Sequence, residues 1–189
     1  MAVQNERIAR LSPAKRALLE ARLRKSGKRG ASGGIPRRAP GEPAVCSFGQ
    51  RRLWFLEQLE KDLAAHNVAH NVRIRGPLKV ECLRQALEAI VHRHDVLRTV
   101  IRADEGEPVP TVLAAGRFDL PIFDLRHFDG ASRKVESERL GTADMSRPFR
   151  LDRDPILRAS LQILSDEELL LAITIHHIAS DGWSGAILS

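Results

Sequence analysis

The sequence is poor in the residues and segments that mark secreted and membrane-spanning proteins. Only two of its 189 residues are cysteine, too few for a disulfide framework or a zinc cluster, which fits a reducing cytoplasm. No apolar run approaches the length of a membrane span, and residues 1–10 lack the apolar segment of a secretory signal. We therefore expect a cytoplasmic protein that does not enter a membrane.

Residues that would favour nucleic-acid binding are also scarce in the body of the chain. Aromatic side chains, which could stack on bases, make up 4% of the sequence. The formal net charge is +6, but residues 1–45 hold 11 Lys/Arg and 3 Asp/Glu, a balance of +8. The remaining 19 basic and 21 acidic residues give −2. The folded part is therefore nearly neutral, and we expect no nucleic-acid partner for it.

Composition divides the chain into three parts. Residues 1–24 form an N-terminal arm with one predicted helix, in which Ser12 is the N-cap and Pro13 fits the first helical position. This helix is either a frayed, solvated arm or a docking helix for an upstream partner. Residues 25–45 are rich in Gly, Pro and Arg without a hydrophobic period, which predicts a flexible basic linker. Residues 46–189 are the predicted folded body.

The body alternates between segments with helical and strand character. The predicted helices are Gly49–Lys61, Val80–Val91 and the more polar Ala131–Asp144. The predicted strands are Val68–Arg75, Val96–Arg102, Pro110–Ala114, Phe118–Asp124, Ile156–Leu164 and Glu168–His176. This order predicts an α/β fold with a mixed sheet and flanking helices.

The most informative segment ends an apolar strand with two adjacent histidines (LLLAITIHHIASDGWS, residues 169–184). Successive strand side chains point to opposite faces, so only one of His176 and His177 can face a cavity, and the other must pack within the fold. An imidazole with a pKa of about 6.5 can accept a proton from an attacking amine. Asp181 could hold the loop or orient the imidazole. The amide of Gly182 could face negative charge on an attacked carbonyl.

Other interpretations of these residues remain open. A buried histidine at a strand end is usually just hydrogen-bonded, and Asp181-Gly182 alone would be an ordinary turn. A His-His pair with a distal aspartate could bind a metal. However, strand geometry separates the two rings and no third ligand cluster is evident, so we expect no metal site.

Three segments resemble the motifs of one enzyme family, in the family's order. HHIASDGWS (176–184) resembles the HHxxxDG signature of nonribosomal peptide synthetase condensation domains, a branch of the chloramphenicol-acetyltransferase-like superfamily. SFGQRRLWFL (47–56) resembles the first family motif, with Gly49 where alanine is usual. RHDVLRTVI (93–101) resembles the second, with Asp95 for glutamate and Ile101 for phenylalanine. The resemblance covers about residues 46–189, the N-terminal lobe alone, and implies a second lobe of similar fold.

The resemblance implies a reaction and roles for the site residues. The family joins carrier-bound aminoacyl or peptidyl thioesters through an amide bond, as in antibiotic and other secondary metabolite biosynthesis. His177 would position the amine and take its proton, or stabilise the tetrahedral adduct. Asp181 would be structural and tied to an arginine, and Gly182 would help bind the oxyanion. With His176, these residues form the predicted catalytic site.

The resemblance also implies partners and leaves two rival functions. The partners would be donor and acceptor peptidyl carrier proteins, the second lobe and an adenylation domain. Phosphopantetheine arms on the carriers would present the substrates, and no cofactor would be bound directly. The rivals are a noncatalytic carrier-docking module of the same fold and an acyltransferase that uses acyl-coenzyme A. This lobe alone is expected to be inactive.

Overall fold

The computed structural model describes residues 39, 42, 44–60, 64–181 and 184. The predicted helix of the 1–24 arm lies outside these residues, as does nearly all of the 25–45 linker, so the domain boundaries stay a prediction. Within the described part, no helix is both long enough and apolar enough to cross a membrane.

The body contains three α-helices and six strands in the described residues. The helices are α1 (Phe48–Leu59), α2 (Val80–Arg93) and α3 (Gly130–Ser146). The strands are β1 (Asn67–Arg75), β2 (Thr99–Asp104), β3 (Glu107–Val112), β4 (Ile122–Asp124), β5 (Leu157–Ser165) and β6 (Glu168–His176). Strands β1, β6, β5 and β4 form one sheet in that order, and β2 and β3 form a separate hairpin. The sheet is mixed, since β4 runs parallel to β5 while the other neighbours are antiparallel.

The centre of the sheet is the β5–β6 hairpin, as its apolar sequence predicts. Leu161 on β5 lies opposite Leu171 on β6, and Leu161 is completely buried. These side chains belong to a core cluster between the sheet and α2, to which Leu87 of α2 contributes. Full burial of a leucine side chain contributes about 1.5–3 kcal/mol, so this cluster is the main source of stability for the sheet.

Helix α3 covers the opposite face of the sheet with polar contacts. The even-numbered residues of β5 face it, and the hydroxyl of Ser137 donates to the buried Gln162 Oε1 at 2.5 Å. The hydroxyl of Ser160 donates to Asp144 Oδ2 at 2.6 Å. Helix α3, described over its whole length, has no buried residue of its own, which agrees with its polar sequence. Because their hydrogen bonds are satisfied, polar side chains are tolerated on this buried face of the strand.

A second core cluster attaches α1 to the end of the sheet. Its buried residues are Cys46, Trp54, Ile101, Leu151, Ile156 and Ile178. Helix α1 begins with a capping box, in which the Ser47 hydroxyl accepts from the Gln50 amide and the Gln50 side chain accepts from the Ser47 amide. The capped end and the buried Trp54 hold α1 against the segment that follows β6.

The structure differs from the predicted strands in three places. Residues Val96–Arg98, predicted as the start of a strand, lie in a 3-10 helix (Asp95–Arg98), and the Thr99 hydroxyl donates to the Asp95 carbonyl at 2.7 Å. Phe118 is buried but precedes the short β4, and its amide donates to Glu88 Oε1 at 3.2 Å instead of to a strand. Both segments contain a buried apolar residue, Leu97 or Phe118, but neither pairs with a neighbouring strand there. The first uses backbone bonds of the 3-10 helix, such as the Leu97 amide to the His94 carbonyl at 2.9 Å, and the second uses the Glu88 carboxylate.

The β2–β3 hairpin begins earlier than the predicted strand Pro110–Ala114. Pairing starts at Asp104–Glu107, directly across a two-residue turn. Both turn residues, Glu105 (φ 49°) and Gly106 (φ 84°), have positive φ, as tight primed hairpin turns require. The amide of Ile101 donates to the Leu151 carbonyl at 2.7 Å and fastens the hairpin to the body.

Candidate active site

The apolar strand β6 carries the histidine pair to the end of the sheet. His176 is its last residue, completely buried, and its amide donates to the Ile156 carbonyl at 3.0 Å. The chain then turns, with the Ala179 amide donating to the His176 carbonyl at 3.0 Å, and His177 is exposed. As strand alternation predicts, one ring (His176) is therefore buried and the other (His177) is accessible.

Both ring nitrogens of His176 have hydrogen-bond partners inside the fold. Nδ1 accepts from the Ile178 amide at 3.0 Å, which places the proton on Nε2, and Nε2 then donates to Glu57 Oε1 at 3.1 Å. Burial lowers the pKa of His176 because it disfavours the imidazolium, while Glu57 acts in the opposite direction. His176 is thus a neutral ring that joins helix α1 to the turn after β6.

His176 and two side chains near it are of residue types that can ligate a metal ion. Ligand atoms of Glu57, His66 and His176 lie within 4.8 Å of one another. A metal would need the lone pair of His176 Nε2, but Nδ1 already accepts the Ile178 amide, so Nε2 carries the proton. We therefore interpret Glu57 and His176 as a hydrogen-bonded pair, with His66 Nδ1 3.7 Å from the same carboxylate oxygen.

His177 has the opposite tautomer and a free acceptor. Its Nδ1 lies 2.5 Å from the Ser180 carbonyl, which can only accept, so Nδ1 carries the proton and Nε2 keeps its lone pair. The ring is exposed, and its backbone amide donates to the His66 carbonyl at 2.8 Å. An accessible imidazole with an unprotonated Nε2 is the form that a general base needs.

Asp181 organises the turn that follows the histidines. Its Oδ1 accepts from both the amide (2.9 Å) and the hydroxyl (2.8 Å) of Ser184, and its own amide lies 3.3 Å from that hydroxyl. These contacts hold the turn, one of the two roles predicted for Asp181, and the Ser180 carbonyl contacts the His177 ring. Gly182, the fourth predicted site residue, lies outside the described residues.

Two residues of this site were missed by the sequence reasoning. Glu57 is buried on α1, one turn after the buried Trp54, and a carboxylate on the apolar side of a helix needs a partner. That spacing was the available signal. His66 lies just before β1, and no pattern in the sequence distinguishes it.

The second motif supports the fold around the site. Arg98 Nη1 donates to the Leu113 carbonyl at 2.5 Å, and its Nη2 is paired with Asp95. These bonds close the start of the β2–β3 hairpin against the end of α2. These contacts give the motif a structural role.

A family model described as Condensation domain matches residues 42–189. This chain belongs to the condensation-domain family. Phosphinothricin tripeptide synthetase PhsC of Streptomyces viridochromogenes is 44% identical over 183 residues, 96% of this chain and 17% of that protein. Malpibaldin synthetase of Mortierella alpina is 40% identical over 157 residues, 82% of this chain and 3% of that protein. The chain thus spans at most 17% of the length of these two synthetases.

Two solved structures share the fold of this chain. The starter condensation domain of rhizomide synthetase RzmA matches with a TM-score of 0.69 and 21% identity, over 77% of this chain and 35% of that one. SgcC5 from Streptomyces globisporus matches with a TM-score of 0.65 and 28% identity, over 77% and 34%. The predicted α/β fold is confirmed, and coverage of about a third of each solved chain fits a single lobe.

Proposed function

We propose that this condensation domain forms an amide bond between carrier-bound aminoacyl or peptidyl groups in nonribosomal peptide biosynthesis. The observation that carries the proposal is the exposed His177 ring, whose Nε2 is left unprotonated by the Nδ1 bond to Ser180. Similarity to a tripeptide synthetase supports this reaction over the two rival functions.

In the proposed reaction, the acceptor amine attacks the carbonyl carbon of the donor thioester. A C–N bond forms and the C–S bond breaks. His177 Nε2 takes a proton from the amine nitrogen. The same proton is then transferred to the departing thiol sulfur, which regenerates the neutral imidazole. Asp181 keeps the turn in place through Ser184, and the Gly182 amide stabilises the oxyanion. Holding both substrates in position supplies a large part of the rate.

The proposed substrates are carried by phosphopantetheine arms of donor and acceptor carrier proteins. A second lobe and an adenylation domain complete the proposed enzyme, which acts in the cytoplasm. The N-terminal lobe by itself is expected to be inactive. The exposed side of α1 favours contact with one of these partners, because Phe48, Phe55 and Leu59 are exposed there to 94%, 56% and 65%. An apolar surface of this kind commonly marks a protein contact.

The test replaces His177 with alanine in the full-length protein and measures the amide product formed from loaded carriers by mass spectrometry. Loss of a general base is expected to lower turnover by about 10²–10⁴-fold. The matched control is His92→Ala, since His92 is exposed on α2, away from the turn. Wild-type turnover by His177→Ala would refute the proposed role.

The same assay separates the rival functions. If the wild-type protein makes product from soluble acyl-coenzyme A and none from loaded carriers, the carrier-dependent reaction is wrong. If it binds loaded carriers but forms no amide, the docking module is the correct assignment.

A further inference from the structure

The second core cluster surrounds a carboxylate that the reaction itself does not use. Glu57 is only 9% exposed, although it lies on α1 next to Trp54 and the other apolar residues of that cluster. A buried carboxylate destabilises the fold unless it is paired with a hydrogen-bond donor. Its Oε1 lies 3.1 Å from Nε2 of His176 and 3.7 Å from Nδ1 of His66.

A continuous set of hydrogen bonds leads from Glu57 to the backbone of His177. Glu57 accepts from Nε2 of His176, and Nδ1 of that ring accepts from the amide of Ile178, the residue after His177. The amide of His177 itself donates to the His66 carbonyl at 2.8 Å. The two peptide groups that flank the His177 side chain are therefore both held by hydrogen bonds.

We propose that Glu57 is a positioning residue for His177 and acts through the tautomer of His176. With Glu57 as acceptor, the His176 proton stays on Nε2 and Nδ1 is free to receive the Ile178 amide. Without that acceptor, the buried Nε2–H is left unsatisfied, and a proton shifted to Nδ1 would face the Ile178 N–H, donor against donor; in either case the turn would move. This inference rests on the proposed function of His177, because positioning matters only if that ring acts in the reaction.

The surrounding side chains leave His176 little freedom to compensate. The Phe149 ring packs edge-on against the imidazole with centroids 6.0 Å apart, and the Arg158 guanidinium lies 3.9 Å over the centroid of Phe149. The His66 ring lies 5.8 Å from that of His176. A tightly packed ring that loses its acceptor cannot move far. We therefore expect the hydrogen-bonded backbone of the turn to shift instead.

The experiment compares two substitutions of Glu57 in the full-length protein. Glu57→Gln keeps a carbonyl oxygen that can accept from Nε2 of His176, whereas Glu57→Leu has similar volume and no acceptor. We expect Glu57→Gln to stay within about threefold of wild-type kcat, and Glu57→Leu to lose about 10²-fold in kcat, with KM for the loaded carriers unchanged. The control is Glu60→Leu, which removes an exposed carboxylate from the end of the same helix.

A double-mutant cycle distinguishes positioning from a general loss of structure. If Glu57 acts through His177, Glu57→Leu should cost no further activity in the His177→Ala background. An additional loss there of the same size as in the wild type, measured per folded molecule, would overturn the proposal. Wild-type kcat for folded Glu57→Leu would overturn it as well.

Two further results keep the outcomes separate. If His177→Ala alone is fully active, the proposed function fails; if it is inactive while folded Glu57→Leu is active, only the positioning role fails.

If Glu57→Leu does not fold, Glu57→Asp takes its place, since it retracts the carboxylate by one methylene while keeping the charge. Reduced kcat for Glu57→Asp that disappears in the His177→Ala background supports positioning, and wild-type kcat refutes it.

Discussion

Replacing each of the adjacent histidines with alanine should give very different losses of stability. His176 is completely buried and bridges Glu57 and the Ile178 amide. Its removal leaves the Ile178 N–H without a partner and leaves Glu57 only the more distant His66 Nδ1 at 3.7 Å, at about 1–3 kcal/mol each, so the free energy of unfolding should fall by about 4 kcal/mol before any cavity contribution. His177 is exposed and makes one hydrogen bond to a carbonyl, so its removal should cost about 1 kcal/mol or less.

The measurement is urea unfolding of the full chain at pH 7.5, followed by circular dichroism and by tryptophan fluorescence, to which the buried Trp54 contributes. A third variant, His176→Asn, isolates one of the two bonds, because its Oδ1 can still accept from the Ile178 amide. We expect it to recover about 1 kcal/mol relative to alanine. Equal losses for the two alanine variants, or a larger loss for His177, would refute the division of roles between the rings.

Two further predictions concern stability. The lowered pKa of His176, caused by burial, means that the unfolded ring, with a pKa of about 6.5, takes up a proton before the folded one. The unfolding free energy should therefore be at its full value above about pH 7 and decline below about pH 6.5, and His176→Asn should weaken that dependence in a series of urea titrations. At the β2–β3 turn, Glu105 has positive φ before Gly106. Glu105→Asn should raise the unfolding free energy by up to about 1 kcal/mol, because asparagine adopts this conformation at lower cost; lower stability would contradict that assignment of the turn.

Much of the fold could be predicted from the sequence because its signals are local. The apolar spacing of Val80, Leu83 and Leu87 predicts α2, and the apolar run before the histidines predicts β6. Where the prediction was wrong, at Val96–Arg98 and at Phe118, Leu97 and Phe118 are buried, but backbone bonds of a 3-10 helix and the Glu88 carboxylate replace strand pairing. Periodicity indicates which side chains are buried, and it does not indicate which groups will satisfy the backbone.

The histidine site separates what the sequence determined from what only the tertiary structure decided. Strand alternation required that one ring be buried and one be accessible, and the motif HHIASDGWS indicated the family. The sequence could not show that Glu57 meets His176, 119 positions later, or that the Ser180 carbonyl orients His177. The protonation of both rings depends on these contacts, because a tautomer is set by the acceptor that packing brings to each nitrogen.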